Sequence, residues 1–528
     1  MNISTKLLED ELTVFCESAS LSQDGLREII EKHGAANVPN INNYAFFLEA
    51  CENEGISEGI LRYLLEYFPN AARHADEEGR QLPLHYICHN KNVTLGMVQL
   101  LIDAFPDSLH HEGENGGMPL HSLCITKNSD DGIGLEILKL LLERCPESVR
   151  HAAGDDVLPI HIAAAVQSPE FCRILVEAYP GSERNANDNG LLPFHVALAL
   201  NTVATVKYLY QLYPESINVE VEENGGVYPI HCAITRVVEE ERIGPTIAVE
   251  ITQFLLDCNP KVVLQECNGI LPFIIFLNQW KNEDEIIENP SRLNACLKVL
   301  QILYDAHPDA IEDNEVTSNV DGFCAEVQTF LNSQLTYARQ ARDRTLMTTR
   351  DENGQLPLHR ALRDNITLGS IKLLVKGNPS AISCNDNIGM MPLHVACQHH
   401  ESPSVIDYLI NLDPTSLHRK DLDHNTALHY ACRGANHAII ALLTDKYGAI
   451  SVSKRNAHGQ LPIDLLFASR EVSDRESVEY TESIFRLFRA YPATVMNFIT
   501  NSNAASHSDA NAKMSGKKRK IDNIQEGS

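Results

Sequence analysis

Leu82-Pro83-Leu84-His85 is the stretch that decides the fold, because this phrase of four residues recurs along most of the 528-residue chain. Each full copy places an apolar or aromatic residue, a proline, an apolar residue and a histidine in that order. Further copies stand at 118–121, 158–161, 192–195, 228–231, 356–359 and 391–394, with weaker ones at 271–273, 426–429 and 461–464. The closest copies are 34 to 36 residues apart. A fixed period of that size is typical of a stacked repeat protein.

The phrase has the features of a helix start. Proline suits the first turn of a helix, because its missing N–H would have no partner there. A glycine-bearing turn usually precedes it, as at Asn189-Gly190 and Asn353-Gly354. Turn, proline and apolar run together predict the first helix of each unit.

A second pattern follows each phrase and ends at another proline. Val98, Leu101, Ile102 and Phe105 occupy positions i, i+3, i+4 and i+7, directly before Pro106. This spacing predicts an amphipathic helix that the proline stops. The same register recurs before Pro69, Pro180, Pro214 and Pro492. Each unit is therefore expected to hold two helices, and neighbouring units must stack to bury the apolar stripes.

These units resemble ankyrin repeats. The first helix of that family opens with Gly-x-Thr-Pro-Leu-His-x-Ala-Ala, and residues 389–397, Gly-Met-Met-Pro-Leu-His-Val-Ala-Cys, are similar to it. The threonine position mostly holds Leu, Met or Tyr here, with Thr426 as the match, and Pro-x-Ser or Pro-x-Ala replaces the helix-ending Gly-Ala. The resemblance covers roughly residues 44–495. It implies an all-α, ankyrin-type helix-turn-helix solenoid of about ten to eleven repeats.

The chain is predicted to have five parts. The repeats form two blocks, and a cap precedes them because a terminal repeat would otherwise expose its core face. The tail is low in apolar residues and is predicted to be disordered. The parts are an N-terminal helical cap (1–43), a first repeat block (44–311), a helical insertion (312–350), a second repeat block (351–495) and a disordered basic tail (496–528).

The insertion contains one good helical pattern, in which an apolar stripe is followed by a basic end. The stripe is Phe323, Val327, Phe330 and Leu331, and the basic residues are Arg339, Arg342 and Arg344. A capping or bridging helix with a solvated basic end explains this pattern. A hinge or a separate docking element between the two blocks explains it as well, and both alternatives stay open.

Composition indicates a soluble intracellular protein. The 14 cysteines have no paired spacing, and residues 1–10 are polar and acidic, unlike a secretory leader. The longest apolar run, 270–277, is far too short to span a bilayer. We therefore expect a monomer without membrane insertion.

Histidine and cysteine recur together as His-x-x-Cys, at 85/88, 121/124, 394/397 and 429/432. A structural zinc site needs four ligands. Each repeat supplies only two at this spacing, and a neighbouring repeat is expected to lie too far away for short side chains to share a metal, so no metal site is predicted. The family resemblance implies instead that the histidine bonds to backbone and that the cysteine fills a small slot between helices. The sequence contains no phosphate-binding loop, nucleophile elbow or zinc-protease motif. No catalytic residue, cofactor or enzymatic activity is expected.

Charge favours a protein partner over a nucleic acid. The chain carries 43 basic and 71 acidic residues, a formal net charge of −28, whereas phosphate backbones attract cations. The resemblance implies that the turns before the phrase project beside a concave binding face. Many acids fall in those turns: Asp76, Glu77, Glu78, Glu112, Glu114, Asp155, Asp156, Asp188, Glu222, Glu223, Asp351, Glu352, Asp386 and Asp423. They predict either an acidic rim that recruits a basic partner segment or simply good turn formers.

The tail contains a strongly basic run, Lys517, Lys518, Arg519 and Lys520, which resembles a nuclear import signal. Folding back onto an acidic surface, or no specific role, remain alternatives. The sequence as a whole predicts a non-catalytic protein–protein interaction scaffold, cytoplasmic or nuclear or both. The alternative is a nuclear regulatory cofactor or inhibitor that masks or recruits a basic factor.

Overall fold

The chain folds as an all-α protein, as the sequence predicts. The computed structural model describes residues 3–33, 41, 43–76, 80–222, 225–239, 245–279, 289–312, 320–448, 451–468 and 477–492. Within these ranges the elements are helices, with isolated β-bridges and no strand. The chain divides into two compact units, Met1–Ala306 and His307–Ser528. The limits of the five predicted parts remain predictions, and the tail lies outside the described residues.

The first unit has two leading helices, then alternating first and second helices. The leading helices are α1 (Ile3–Glu17) and α2 (Gln23–His33). The first helices are α3 (Ala45–Glu52), α5 (Pro83–His89), α7 (Pro119–Ile125), α9 (Pro159–Val166), α11 (Pro193–Leu200), α13 (Pro229–Glu239) and α15 (Pro272–Gln279). The second helices are α4 (Glu58–Tyr67), α6 (Leu95–Ala104), α8 (Asp131–Arg144), α10 (Pro169–Ala178), α12 (Val203–Leu212), α14 (Pro245–Cys258) and α16 (Pro290–Ala306). First helices pack on first helices and second on second, while α1 packs on α3 and α2 on α4.

The second unit begins with the helix predicted in the insertion. This helix is α17 (Ala325–Arg342), and α18 (Arg344–Thr348) follows it. The first helices are α19 (Pro357–Arg363), α21 (Pro392–His399), α23 (Ala427–Arg433) and α25 (Pro462–Ala468). The second helices are α20 (Leu368–Gly377), α22 (Pro403–Leu412), α24 (His437–Asp445) and α26 (Val478–Ala490).

Helix α17 packs against the second helix α20. Its apolar stripe is buried at Val327 and Leu331, as predicted. In the same contact the Gln334 side-chain carbonyl accepts hydrogen bonds from the hydroxyls of Thr367, at 2.8 Å, and Ser370, at 2.5 Å. These bonds satisfy the buried carbonyl oxygen of Gln334. Because they join α17 to α20, helix α17 covers one side of the first repeat in this unit.

Where the phrase contains a histidine, that histidine holds the start of the first helix. In His195, Nδ1 accepts a hydrogen bond from the backbone N–H of Leu192 at 3.1 Å, and Nε2 donates to the carbonyl of Val219 at 3.2 Å. Burial lowers the pKa of His195 to about 4, so the ring is neutral. The Nδ1 bond recurs at 2.9–3.3 Å in His85, His121, His161, His231, His359, His394 and His429. The role that the resemblance implied for this histidine is confirmed.

The cysteines of the His-x-x-Cys pairs lie inside the stack. Cys88, Cys124, Cys397 and Cys432 are each fully buried in a first helix. Burial raises the pKa of Cys88 to about 12, so its thiol stays protonated. These cysteines act as small apolar residues between helices.

The second helices end one residue earlier than the sequence pattern suggests. Helix α6 stops at Ala104, and Phe105, which the pattern placed on the helix, lies half-buried beyond its end. The physical reason is that Pro106 disfavours helical backbone in the residue before it. A short 3₁₀ helix, Pro106–His110, follows, and the Ser108 hydroxyl donates to the carbonyl of Phe105 at 2.6 Å. This bond explains why Pro-x-Ser recurs at that point.

Candidate protein-binding surface

The turns that precede the first helices form a connected row of hydrogen-bonded tips in each unit. We call this set of turns the turn row. In the first unit the N–H of Asp188 donates to the carbonyl of Asp155 at 2.9 Å, and the N–H of Asn268 donates to that of Gly225 at 2.8 Å. These bonds fix neighbouring tips relative to one another. A partner would therefore meet a surface whose shape is largely set before binding.

The turn row of the second unit is connected in the same way. The N–H of Leu422 donates to the carbonyl of Ile388 at 3.2 Å, and the N–H of Ala457 donates to that of Asp423 at 2.8 Å. Gly389 stands between these tips with a φ of +81°. A Cβ on Gly389 would lie 2.9 Å from the backbone nitrogen of Leu422. Glycine is thus required there both by conformation and by the close approach of the next turn.

Three of the predicted acids stabilise their own turns by accepting backbone hydrogen bonds. The Asp386 carboxylate is 8% exposed and accepts the backbone N–H groups of Ile388 and Met390. Asp76 and Asp351 are half-buried and accept backbone N–H groups of their own turns in the same way. For these three residues the turn-forming interpretation describes what the carboxylate does.

Most of the other predicted acids are exposed at or beside the tips. They are Glu112, Asp155, Asp156, Asp188 and Glu222 in the first unit, and Glu352 and Asp423 in the second. Asp155 and Asp156 adopt positive φ angles of 58° and 55°, a conformation that Asp and Asn tolerate better than most residues. Glu77, Glu78 and Glu223 lie outside the described residues, as do Lys517, Lys518, Arg519 and Lys520, and the side chain of Glu114 is not described.

An apolar stripe, which the sequence analysis missed, runs along the first helices of the first unit. We call Ile125, Val166 and Leu200 the apolar stripe; they lie on α7, α9 and α11, which pack side by side. Their side chains are 49%, 36% and 40% exposed. Exposed aliphatic residues thus end three adjacent first helices, which makes this a candidate protein-binding surface. Each lies at the end of its first helix, and this position could have been compared along the sequence.

The apolar stripe begins at a groove. This groove encloses about 580 Å³, and Tyr86, His89, Ser122 and Ile125 are among its lining residues. Glu52, Glu54 and Lys91 line it as well, and Lys91 Nζ lies 3.3 Å from a carboxylate oxygen of Glu54. The groove therefore combines apolar surface with charges of both signs.

The first helices of the second unit present a different surface. Arg360 and Arg363 on α19, and Arg433 on α23, are exposed. The exposed aliphatic residues of this unit's turn row are Ile388, 57% exposed, and Leu422, 71% exposed, which lie on consecutive tips. The two units therefore have the same arrangement of helices and turns and differ in the side chains that they expose.

Comparison with known proteins gives a family match. The family model described as ankyrin repeats (3 copies) matches residues 130–223, in the first unit, and 358–456, in the second. The resemblance read from the sequence is thereby confirmed, while the number of repeats stays a prediction. No curated protein matches the chain. Among the described helices, none combines the length and the apolar composition needed to cross a bilayer.

Proposed function

Because this chain contains ankyrin repeats, which generally bind other proteins and are typically non-catalytic, we propose that it is a non-catalytic interaction scaffold. We further propose that its first unit binds a partner segment in which basic and apolar residues are interspersed. The observation that carries this proposal is the apolar stripe at the ends of α7, α9 and α11, together with the exposed acids of the turns at the starts of those helices.

The two kinds of exposed residue have different roles in this proposal. Burial of the apolar stripe supplies affinity, at about 25 cal/mol per Å² of apolar surface removed from water. Asp155, Asp156 and Asp188 attract the basic residues of the partner and speed its association. Exposed charges are screened within about 8–10 Å at physiological salt. The electrostatic part of binding must therefore weaken as salt rises.

Affinity capture of the full-length protein from its own cells, washed in parallel at low and high salt, tests the proposal. Asp155→Asn, Asp156→Asn and Asp188→Asn together remove three charges while keeping a residue type that tolerates these turns. The matched control replaces Glu136, Glu143 and Glu250, exposed acids on second helices, by glutamine. The turn-row variant is expected to retain less partner at low salt, and the control to match the unmodified protein.

The apolar contribution has its own variant. Ile125→Ser, Val166→Ser and Leu200→Ser are expected to abolish capture at both salt concentrations. Leu264→Ser, which alters a 51% exposed leucine away from the stripe, is expected to leave capture unchanged. A partner retained equally by the stripe variant and the control would contradict the proposed surface.

The alternative is a nuclear regulator that masks or recruits a basic factor. It is supported by the four-residue basic run, Lys517, Lys518, Arg519 and Lys520, in an otherwise acidic chain. Changing all four residues to alanine in a tagged protein is expected to shift its distribution from the nucleus to the cytoplasm. Changing only the three lysines to arginine keeps the charge and should keep the distribution. An unchanged distribution in the alanine variant would remove this alternative.

A further inference from the structure

In the first unit, neighbouring repeats contact one another through a column of side-chain pairs at the ends of the second helices. Each pair joins two consecutive repeats. One partner is the last residue of a 3₁₀ helix, and the other is the residue that directly follows the second helix of the next repeat. The guanidinium carbon of Arg73 is 5.0 Å from the ring centroid of Phe105, and Arg184 lies 4.8 Å from the ring of Tyr213. These are cation–π contacts, in which a cation meets the negative face of an aromatic ring.

One step of this column has a different composition. Where the neighbouring steps have arginine and an aromatic residue, His110 meets Cys145, and Glu147 lies beside both. His110 Nε2 and Glu147 Oε1 are 2.8 Å apart. The imidazole nitrogen, the thiol sulfur and a carboxylate oxygen all lie within 4.8 Å of one another. Cys145 is 1% exposed, whereas the side chains of His110 and Glu147 are more than half exposed.

We propose that His110, Cys145 and Glu147 form a zinc site that joins two consecutive repeats of the first unit. Thiolate, imidazole and carboxylate are the three ligand types that zinc takes in proteins. Bond lengths of about 2.0–2.3 Å in a tetrahedron place the ligand atoms roughly 3.2–3.8 Å apart. The buried cysteine is already in place, and the two exposed side chains can close the remaining distance. A water molecule occupies the fourth position.

Without a metal, His110 and the Cys145 thiol both hydrogen-bond to the Glu147 carboxylate, so the three side chains already converge on one point. The next step of the column differs, since Arg150 lies 5.0 Å from the ring of Tyr179. On binding zinc the Cys145 thiol becomes a thiolate, and its proton is released to solvent. Because a proton is released, zinc binding strengthens as pH rises.

The consequence is a metal link across the stack. His110 ends the 3₁₀ helix that follows α6, while Cys145 and Glu147 lie at the end of α8 and just beyond it. A metal held by both loops binds the folded state and not the unfolded chain with this geometry, so it stabilises the first unit. The thermal stability of the protein should then depend on zinc concentration.

Cobalt(II) titration of the full-length, reduced and metal-free protein tests the proposal, since cobalt reports its ligands optically. We expect a sulfur-to-cobalt charge-transfer absorption that saturates at one equivalent and that zinc abolishes by displacement. The test variant carries His110→Arg and Cys145→Phe. These changes install the Arg–Phe pair found one step earlier, so this variant keeps a packed contact and is expected to fold.

Two readouts separate this site from the other cysteines and histidines. The charge-transfer absorption and the zinc-induced rise in unfolding temperature should both be lost in the Arg–Phe variant. Glu147→Gln should keep the absorption and bind more weakly, because the thiolate and imidazole remain. No thiolate absorption in the unmodified protein, or equal absorption in the Arg–Phe variant, would overturn the proposal.

Discussion

The first helices of the two units share their buried residues and differ in their exposed ones. In both units the proline, the apolar residue and the histidine of the phrase face the interior, as in Phe194 and His195 of α11 and Leu393 and His394 of α21. At the exposed positions the first unit has the apolar stripe, whereas the second has three arginines on α19 and α23. The two units therefore share the buried positions that hold the helices together and differ in the side chains that they expose.

Energetics explains why the two sets of positions vary differently. Truncating a buried aromatic or aliphatic side chain costs several kcal/mol, because a cavity remains. Substitutions at exposed positions usually change stability by no more than about 0.5 kcal/mol. A repeat can thus change its exposed residues without losing the stack. Four predictions test whether buried positions control stability while exposed positions control binding.

Acidification from pH 7 to pH 5 is expected to destabilise both units. Burial lowers the pKa to about 4 for His85, His121, His195 and His231 in the first unit and for His429 in the second, and it also lowers the pKa of His161 in the first unit and of His359 and His394 in the second. The pKa of an unfolded histidine is about 6.5. Between these values the unfolded chain binds protons that the folded chain excludes, so stability is complete above pH 6.5 and is lost as pH falls towards 4. Each such histidine costs on the order of 1–2 kcal/mol at pH 5.

Hydrogen exchange with mass spectrometry, corrected for the intrinsic effect of pH, measures this loss helix by helix. His195→Asn removes one titrating group, and the pH dependence of α11 should decrease in that variant. Unchanged protection between pH 7 and pH 5 in both units would show that these histidines do not control the acid response.

Truncating the buried apolar residue of the phrase should damage both units alike. Phe194→Ala in the first unit is expected to cost about 3–5 kcal/mol, and Leu393→Ala in the second about 2–5 kcal/mol. Both residues are at most 2% exposed, and each loss should appear as faster hydrogen exchange in its own unit. Leu200→Ala, at an exposed position of the same helix as Phe194, is the control and should leave exchange unchanged. A core variant as stable as this control would contradict the common frame.

Adding one methyl group to the turn row should lower stability most where two neighbouring turns touch. Gly389→Ala places a Cβ 2.9 Å from the backbone nitrogen of Leu422 at a φ of +81°. Gly459→Ala is the matched control, since its φ is +75° and no atom lies within 4 Å of its Cβ. Both variants carry the left-handed strain of about 1–2 kcal/mol, and only Gly389→Ala adds the clash. Thermal unfolding should therefore show the larger drop for Gly389→Ala, and equal drops would mean that the tips are not held together.

Exchanging the exposed residues between units should change binding and hardly change stability. Ile125→Arg, Val166→Arg and Leu200→Arg give the first unit the charge of the second unit's first helices. Each change is expected to alter the free energy of unfolding by no more than about 0.5 kcal/mol, while partner capture by the first unit is lost. Circular dichroism melting and affinity capture measure the two effects on one sample. A melting temperature lowered by many degrees would show that these residues contribute to folding stability instead.

Several predictions from the sequence concerned contacts within one repeat, and the structure bears out those that it describes. The proline at the helix start and the burial of Val98 and Leu101 follow from local spacing, whereas the role of the phrase histidine was implied by the family resemblance. The exact end of α6 did not follow, because the pattern of apolar residues continues through Phe105 although the helix does not. The partner-binding role of the acids remains a prediction. The structure divides the described acids into those that hydrogen-bond to the backbone of their own turns and those that are exposed at or beside the tips.

Contacts between repeats were beyond the reach of the sequence pattern. The Asn201 side-chain amide donates to the carbonyl of Ala164 at 3.0 Å and so satisfies the end of the preceding first helix. Neighbouring repeats were expected to lie too far apart for short side chains to share a metal, whereas the ligand atoms of His110, Cys145 and Glu147, from two repeats, lie within 4.8 Å of one another. Asn201 recurs in type as Asn90 and Asn436, and such spacing is the signal that could have found it.

The sequence by itself determined that this protein is a stack of paired helices, because proline, histidine and apolar periodicity act over a few neighbouring residues. Only the tertiary structure decided which side chains of different repeats meet, and thus where the apolar stripe, the connected turn row and the proposed zinc site lie. The physical reason is that a helix pair fixes its own burial, whereas the distance between residues some 35 positions apart depends on how consecutive pairs pack.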